Sequence, residues 1–307
     1  MPAATADEIR DVNARYHDLA AGDYDSKWSI KFDAAGRELV VDKLSRALGR
    51  PPGTFGRALE VGAGTGYFLL NLLGAGVVRE GVATDISQGM LDGLSASADR
   101  LDLPVECVRS DAAELPFPPS SFNLVVGHAV LHHLPDLEAA FSEFRRVLRP
   151  GGVLVFCGEP SRYGDRLAGV PKRAAVAAAP AWRRLMGASK RRAAHAANGD
   201  GASNLEHELE WLVDVHSFTP RQLAGLARCA GLEQVTVRGE ELAAGWFGWV
   251  SRTLEGSAEP DQVPKAWRWY AYGGYHALRA VDRVLLERYL PAGIFYNLLL
   301  SARAPAG

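Results

Sequence analysis

The 307-residue sequence has only three cysteines and no long uninterrupted apolar run. Cys107, Cys157 and Cys229 are far apart and lack the spacing of metal ligands, which predicts buried, reduced thiols and no metal site. No apolar segment is long enough to span a bilayer, and residues 1–15 lack the apolar core of a secretion signal. We therefore expect a cytoplasmic protein.

The chain also lacks a charge excess of either sign, since 34 Lys and Arg residues nearly balance 36 Asp and Glu residues. Nucleic-acid-binding domains usually carry a strong basic excess, so no nucleic-acid partner is expected. A chain of this length suits one elaborated domain or one domain with a cap. The expected partner is a small molecule, and the sequence indicates no oligomeric state.

The most informative segment is a glycine-rich run between a short apolar strand and an apolar helix. Gly62, Gly64 and Gly66 stand at alternate positions, and such a turn presents free backbone N–H groups to a ligand. A dinucleotide fingerprint needs a third glycine where Tyr67 stands, and the Gly-Lys-Ser/Thr of a P-loop is absent. The spacing therefore argues against ATP and against an NAD-dependent oxidoreductase.

Strand and helix patterns alternate along much of the chain. Strands are predicted at 81–85, 105–109, 122–126, 153–157, 233–237 and 293–302, and helices at 37–49, 67–73, 87–99, 137–148 and 220–230. Such alternation predicts an α/β fold in which helices cover both faces of a parallel sheet.

Five motifs follow one another between residues 55 and 158. They are Leu59-Glu60-Val61-Gly62-Ala63-Gly64-Thr65-Gly66, Thr84-Asp85-Ile86-Ser87 with Met90, Ser110-Asp111-Ala112-Ala113-Glu114-Leu115-Pro116-Phe117, Val130-Leu131-His132-His133-Leu134-Pro135-Asp136, and Arg146-Val147-Leu148-Arg149-Pro150-Gly151-Gly152. In this order and spacing they resemble class I S-adenosylmethionine-dependent methyltransferases, in particular the small-molecule branch typified by quinone-biosynthesis enzymes. The resemblance implies a seven-strand Rossmann-like sheet whose last strand, 293–302, is antiparallel.

The resemblance also implies a helical cap formed by insertions. The expected organisation is an N-terminal helical cap segment (1–50), a core S-adenosylmethionine-binding half (51–160), an inserted lid segment (161–215), the remainder of the core sheet (216–240 and 291–304) and a second, aromatic-rich cap (241–290). The aromatic residues of that cap suit either a bulky substrate or a helical core. The basic stretch 162–192 suits an anionic substrate or a membrane surface, but a mobile, solvated segment is favoured.

Cofactor contacts are expected at the ends of the first strands. Asp85 suits the ribose hydroxyls, and Asp111 suits the adenine amino group. The resemblance assigns Glu60 to ordering the glycine loop and the methionine end of the cofactor, while Met90 is equally a candidate for the core. The expected cofactor-binding set is Tyr24, Glu60, Gly62, Ala63, Gly64, Gly66, Asp85, Ile86, Met90, Asp111, Ala112 and His128.

Catalytic candidates follow the fourth and fifth strands. Methyl transfer gains most from alignment and exclusion of water, and a base is needed only where the nucleophile carries a proton of high pKa. His128 comes directly after the fourth strand and is the first candidate for a base or an orienting group. His132 and Glu159 are further candidates, although a structural role is favoured for His132 and His133.

Together these features predict O-methylation of a hydroxyl on a small, largely apolar or aromatic metabolite, with S-adenosylmethionine as the methyl donor. C-methylation of a quinone, enol or lipid-like acceptor is the alternative. A cofactor-binding protein that has lost catalysis is the second alternative.

The cofactor assignment predicts that S-adenosylmethionine raises the melting temperature, because a ligand that binds only the folded state stabilises it. NAD leaves the melting temperature unchanged. Thermal-shift titrations with the two ligands measure the difference, and stabilisation by NAD alone would contradict the assignment.

Overall fold

The computed structural model describes residues 5–25, 30–191, 213 and 215–306. The chain divides into two compact units, each assembled from separate segments. We call Met1–Glu159, Gly201–Val237 and Leu299–Gly307 the sheet unit, and Pro160–Asp200 and Arg238–Leu298 the helical unit. In the described part of the chain, no helix has the length and apolar character needed to cross a membrane.

The sheet contains seven strands. They are β1 (Phe55–Val61), β2 (Val78–Asp85), β3 (Val105–Arg109), β4 (Phe122–His128), β5 (Leu148–Pro160), β6 (Glu233–Glu240) and β7 (Asn297–Arg303). Their order across the sheet is β3-β2-β1-β4-β5-β7-β6, and the first five in this order are mutually parallel. The strand order reverses between β1 and β4, which places a crevice at the carboxyl ends of these strands.

The last strand runs antiparallel, as the resemblance implied. The N–H of Ala304, just after β7, donates to the carbonyl of Gly152 near the start of β5, at 2.9 Å. The N–H of Gly151 donates to the carbonyl of Pro305 at 3.1 Å. The predicted fold class is therefore confirmed, although β7 begins later than expected because Ala292–Ile294 form a short 3₁₀ turn.

Helices connect the strands. They are α1 (Ala6–Ala20), α2 (Ala34–Leu48), α3 (Tyr67–Gly74), α4 (Gln88–Leu101), α5 (Leu137–Val147), α6 (Arg162–Met186), α7 (Pro220–Cys229), α8 (Ala243–Gly256), α9 (Lys265–Val281) and α10 (Glu287–Tyr289), with a π-helical turn at Asp282–Leu286 and 3₁₀ turns at Leu131–His133 and Pro260–Gln262. Side chains cap several N-termini. Asp33, for example, accepts the Gly36 N–H at 2.9 Å, so α2 begins earlier than predicted.

The core of the sheet unit is packed from α3 and the central strands. Phe68, Leu69 and Leu72 of α3 are fully buried, and their apolar side chains continue the predicted helix directly after the glycine run. Leu124 of β4 and Val155 of β5 belong to the same hydrophobic cluster. This packing holds the strand ends rigidly, which is what a binding site built on them requires.

The basic segment that was expected to be mobile forms α6, so that prediction is wrong for residues 162–186. Small residues on one side of the helix allow close packing, and Trp182 completes this side. Trp182 meets Trp267 of α9 edge-on, with ring centroids 5.0 Å apart, and both belong to a cluster that includes Leu254 of α8. Residues 192–212 and 214 of the expected lid lie outside the described residues.

The expected boundaries and the lid and cap roles of 161–215 and 241–290 stay predictions. The prediction of buried thiols holds for Cys157 but is wrong for Cys229, which is exposed, and Cys107 is half-buried. Cys229 is the last residue of α7, where it meets solvent rather than the core.

The buried side chain of Asp282 stabilises the start of α8 in the helical unit. Its fully buried carboxylate accepts the N–H groups of Leu242, Ala243 and Ala244 at 2.9–3.0 Å, at the start of α8. A carboxylate at a helix N-terminus both satisfies free donors and opposes the helix dipole.

We expect Asp282→Ala to destabilise the protein by about 3 kcal/mol, because three buried donors lose their acceptor. Asp282→Asn keeps one carbonyl acceptor and should cost less. Chemical denaturation followed by circular dichroism measures both, with Asp261→Ala at an exposed position as the control. Equal stability of the Asp282→Ala and control variants would refute this role.

Candidate functional site

A pocket lies where the strand order reverses, and all its lining residues belong to the sheet unit. It contains about 710 Å³ of empty space, including the part open to solvent. Its lining consists of Val61, Gly62, Gly64, Asp85, Ile86, Ser110, Asp111, Ala112 and His128 at strand ends, Ala129, Val130, His133, Leu134 and Pro135 after β4, and Arg10, Asn13, His17 and Tyr24 from the N-terminal segment.

Most of the predicted cofactor-binding residues meet at this pocket. Its lining includes Tyr24, Gly62, Gly64, Asp85, Ile86, Asp111, Ala112 and His128. The other four, Glu60, Ala63, Gly66 and Met90, are not part of the lining but adjoin it in sequence or in the core. Met90 is 1% exposed, so the structure places its side chain in the core. The cofactor contacts themselves stay predictions.

The glycine loop needs its glycines for both conformation and space. Gly62 has a φ of +59°, and a Cβ there would lie 2.2 Å from the Val130 side chain. Gly66 has a φ of +90°, and its Cβ would lie 2.8 Å from Leu70 and Leu94. These positive φ values favour glycine, and the missing side chains let the loop pack tightly between β1 and α3.

Asp85 fastens the glycine loop to the end of β2. Its Oδ2 accepts the N–H of Gly64 at 2.8 Å, and its Oδ1 accepts the N–H of Ser87 at 2.9 Å. Each carboxylate oxygen has a second lone pair. Because Asp85 also lines the pocket, it can accept further hydrogen bonds from a bound molecule.

Glu60 lies beneath the loop, where it is 2% exposed. Its Oε2 accepts the N–H of Leu69 in the first turn of α3 at 2.8 Å. Burial raises the pKa of Glu60 to about 8, and the nearby Asp85 charge adds to this effect, while backbone N–H groups of α3 oppose it. The carboxyl group is therefore largely protonated at neutral pH.

Arg10 of α1 enters the site through an ion pair that the sequence did not predict. Its Nε lies 2.5 Å from Oδ2 of Asp111, whose Oδ1 accepts the Ala113 N–H at 2.9 Å. Burial alone would lower the pKa of Arg10, but the charges of Asp111 and Asp7 outweigh burial and raise it. No motif spacing relates Arg10 to Asp111, so only the fold reveals this pair.

Other residues of the N-terminal segment line the same wall. The His17 ring lies 5.4 Å from that of His133 and 6.3 Å from that of Tyr24. Burial, together with the charge of Asp85, raises the pKa of Tyr24 to about 12, so its hydroxyl stays protonated. Asp18 accepts the Ser87 hydroxyl at 2.6 Å and fixes α1 to the start of α4.

His128 is held at the end of β4 by three neighbours. Its ring stacks on Phe68 with centroids 5.8 Å apart and meets Tyr67 edge-on at 5.1 Å. Lys43 of α2, which is 9% exposed, places its Nζ 3.4 Å from Nε2 of His128. Gly158 leaves room for the ring, since a Cβ there would lie 3.0 Å from Nε2.

Glu159 is not available to a substrate, which corrects its assignment as a catalytic candidate. Its fully buried carboxylate accepts the N–H groups of Val130, Leu131 and His132 at 3.0–3.2 Å. Its Oε2 also lies 2.9 Å from Nδ1 of His132. Both side chains therefore position the loop after β4, and neither belongs to the pocket lining.

No group of His, Cys, Asp and Glu residues in the described ranges has the arrangement of a metal site. His133, at the pocket wall, also contacts protein atoms, since its Nδ1 lies 2.9 Å from the Val213 carbonyl oxygen. Burial, with the neighbouring His132 and His17, lowers the pKa of His133 well below its usual value.

Comparison with known proteins agrees with this geometry. Residues 59–156 match a family model described as a methyltransferase domain. The malonyl-[acyl-carrier protein] O-methyltransferase of Methylococcus capsulatus is 36% identical over 167 residues, which cover 53% of this chain and 55% of that protein. The demethylmenaquinone methyltransferase of Staphylococcus aureus is 37% identical over 122 residues, or 39% and 48% of the two chains. The chain spans about half the length of such curated relatives.

Solved structures share the fold. Phosphoethanolamine N-methyltransferase 2 of Haemonchus contortus is 16% identical with a TM-score of 0.58, and the match covers 99% of this chain and 61% of that one. The cyclase SpnF is 20% identical with a TM-score of 0.56, covering 100% and 99%. Residues 59–156 therefore match a methyltransferase domain, and the resemblance to class I S-adenosylmethionine-dependent methyltransferases that the motifs carry is confirmed.

The buried carboxyl of Glu60 predicts a characteristic pH dependence. Because its pKa is raised from 4.5 to about 8 in the folded state, the folded protein holds one more proton than the unfolded chain between these values. The free energy of unfolding that this group contributes therefore falls as pH rises from 4.5 to about 8, by about 1.4 kcal/mol per pH unit at most.

Glu60→Gln removes this titration while keeping an oxygen for the Leu69 N–H. The difference in unfolding free energy between wild type and Glu60→Gln should fall across that pH range and become constant at higher pH. Denaturation curves across the range measure it, and Glu80→Gln, at an exposed position of β2, is the control. A pH-independent difference for Glu60→Gln would contradict the raised pKa.

Proposed function

We propose that this protein transfers the methyl group of S-adenosylmethionine to an oxygen atom of a small, largely apolar or aromatic metabolite. The observation that carries the proposal is the pocket itself, where the glycine loop, Asp85, Asp111 and His128 meet. The family match of residues 59–156 supports the same reaction class.

The residues of the pocket fit the cofactor. Asp85 has lone pairs left for two hydroxyl donors after binding Gly64 and Ser87, and Ala112 beside Asp111 leaves space for a planar ring. The loop at Gly62 and Gly64 lines the pocket. A Cβ at Gly64 would meet only the Tyr24 ring, at 4.0 Å, so the backbone there can lie close to a ligand. When bound, S-adenosylmethionine supplies a methyl group on a positively charged sulfur, and the charge disappears on transfer.

The pocket wall supports an acceptor that is uncharged or weakly polar. Val61, Ile86 and Leu134 contribute apolar lining. The guanidinium of Arg10 is paired with the carboxylates of Asp7 and Asp111, so it offers no excess positive charge to an anionic acceptor. The chain's own contribution to the reaction is then to align the acceptor oxygen and to keep water out.

The contact between Lys43 and His128 favours an orienting role for the histidine. A lysine ammonium only donates hydrogen bonds, so in this contact Nε2 accepts and the ring proton is on Nδ1. Because His128 lines the pocket, the orienting role assigns Nδ1–H as the donor toward the acceptor oxygen. A base role would require Nε2 to be released from Lys43.

The relatives support oxygen as the acceptor atom and also give the alternative. The relative from Methylococcus capsulatus is named for O-methylation of a malonyl carrier protein, whereas demethylmenaquinone methyltransferases act on a quinone. C-methylation of a quinone, enol or lipid-like acceptor is therefore the second candidate. The cyclase SpnF shares the fold, and since a fold does not determine a reaction, loss of methyl transfer is the third.

Incubation of the purified protein with methyl-labelled S-adenosylmethionine and a metabolite extract tests the proposal. Label in a methyl ester is released by mild base, whereas label in an ether or on carbon is retained, and nuclear magnetic resonance separates the last two. A methyl group on oxygen supports the proposal. Label only on carbon, or no transfer despite cofactor binding, would overturn it.

Variants of His128 then separate orientation from base catalysis. In His128→Asn the amide nitrogen lies near the position of Nδ1 of the histidine ring. In His128→Gln it lies near the position of Nε2. If His128 orients the acceptor, we expect turnover to fall about 100-fold in His128→Ala and distinctly less in His128→Asn than in His128→Gln. His276→Ala, in the helical unit, is the control.

The dissociation constant for S-adenosylmethionine, measured by calorimetry, should be nearly unchanged in all three His128 variants. If His128→Asn and His128→Gln lose turnover equally, and the pH profile of turnover also shifts, His128 acts as a base rather than as an orienting group. Wild-type turnover in His128→Ala would remove His128 from the reaction.

A further inference from the structure

Exposed hydrophobic side chains are concentrated in the helical unit. Fourteen large hydrophobic residues are exposed in the described part of the chain, and thirteen of them belong to this unit. Single exposed hydrophobic residues are ordinary, but a concentration of them marks an interaction surface. The sheet unit, with Leu19 alone among these residues, has no such concentration.

One face of α6 is apolar and exposed along nearly its whole length. Helical spacing places Tyr163, Leu167, Val170, Ala174, Ala177, Ala181 and Leu185 in one stripe, and all are exposed. Val170 and Leu185 are exposed to 69% and 79%. The buried side of α6, from Gly164 to Trp182, packs inside the unit, so the exposed stripe is additional to what folding requires.

The α9 helix and its continuation also expose large side chains, and those of α9 are aromatic. Trp269 is 74% exposed, and Tyr270 and Tyr272 are each 58% exposed. After the π-helical turn begins, Val284 and Leu285 are exposed as well. No residue of α9 is buried. Trp and Tyr combine an apolar ring with a polar tip, which suits the boundary between water and lipid.

The charge of these two helices has one sign. The helical unit has 16 Lys and Arg residues against 9 Asp and Glu, whereas the sheet unit has 18 against 27. The sequence of α9 contains no acidic residue, and that of α6 contains only Asp165, which pairs with Lys172 at 3.4 Å. Arg166, Arg173 and Arg184 flank the apolar stripe of α6 and are exposed.

We propose that the exposed faces of α6 and α9 bind the surface of a bilayer that contains anionic phospholipids. Apolar and aromatic side chains enter the boundary between headgroups and acyl chains, and the arginines pair with lipid phosphates. Two copies of this basic face would repel each other. A nucleic acid would pair with the arginines but leave Val170 and Leu185 uncovered, since phosphate contacts are polar.

Sedimentation of the full chain with vesicles tests the proposal, with phosphatidylcholine alone compared with phosphatidylcholine mixed with phosphatidylglycerol. We expect binding to the mixed vesicles, at least about tenfold weaker binding to the neutral ones, and loss of binding at high salt. Vesicle binding needs no methyl transfer, so its failure leaves the proposed reaction untouched.

Matched variants separate the apolar and the charged contributions. Trp269→Ala with Tyr272→Ala should weaken vesicle binding about tenfold or more, whereas Leu19→Ala in the sheet unit should not change it. In the same way, Arg173→Glu with Arg184→Glu should abolish binding. Arg50→Glu with Arg79→Glu, two exposed positions of the sheet unit, makes the same charge change and should retain it.

Unchanged melting temperatures show that the variants are folded. Failure to bind the mixed vesicles, or binding that the control variants lose equally, overturns the proposal. A dimer in sedimentation equilibrium that Trp269→Ala dissociates, without vesicle binding, would assign the face to a second copy. Binding of duplex DNA without vesicle binding would assign it to nucleic acid.

Discussion

The site depends on one buried carboxylate, that of Glu159. It is removed from water and compensated by the N–H groups of Val130, Leu131 and His132, because an uncompensated charge at this depth would be very costly. These three hydrogen bonds fix the loop after β4. The Val130 side chain of this loop occupies the space that a Cβ at Gly62 would need. Two loops from different strands are thus fixed as a single wall of the pocket.

Residues 5–25 complete the wall, and polar contacts hold them to the rest of the sheet unit. Asp18 holds the start of α4, and the Thr65 hydroxyl donates to Asp25 at 2.5 Å. Arg10 adds an ion pair with Asp111. Contacts of this kind are specific in direction but cost little to separate where they reach solvent. Directional polar contacts therefore position α1 beside the pocket.

The sequence predicted the sheet and several residues that line the pocket, because both follow local patterns. The glycines at 62–66, and Asp85 and Asp111 at strand ends, are each recognisable from their immediate neighbours. Arg10 was missed because its partner lies about a hundred positions away, with no shared motif. Glu159 was misassigned because a carboxylate at a strand end can either contact a substrate or, when buried, accept backbone N–H groups of a neighbouring loop. The alanine-rich α6 was mistaken for a mobile segment because its packing stripe consists of small residues, whose periodicity is weak.

The ion pair between Arg10 and Asp111 occupies a carboxylate oxygen that could otherwise accept a hydrogen bond from a ligand. A donor that takes the same lone pair of Oδ2 has to displace the guanidinium, which still has Asp7 as a partner at 2.8 Å. Because Asp7 also binds the guanidinium, loss of the contact with Asp111 would leave Arg10 with one carboxylate partner. Arg10 of α1 therefore competes with any hydrogen-bond donor that approaches the same oxygen of Asp111.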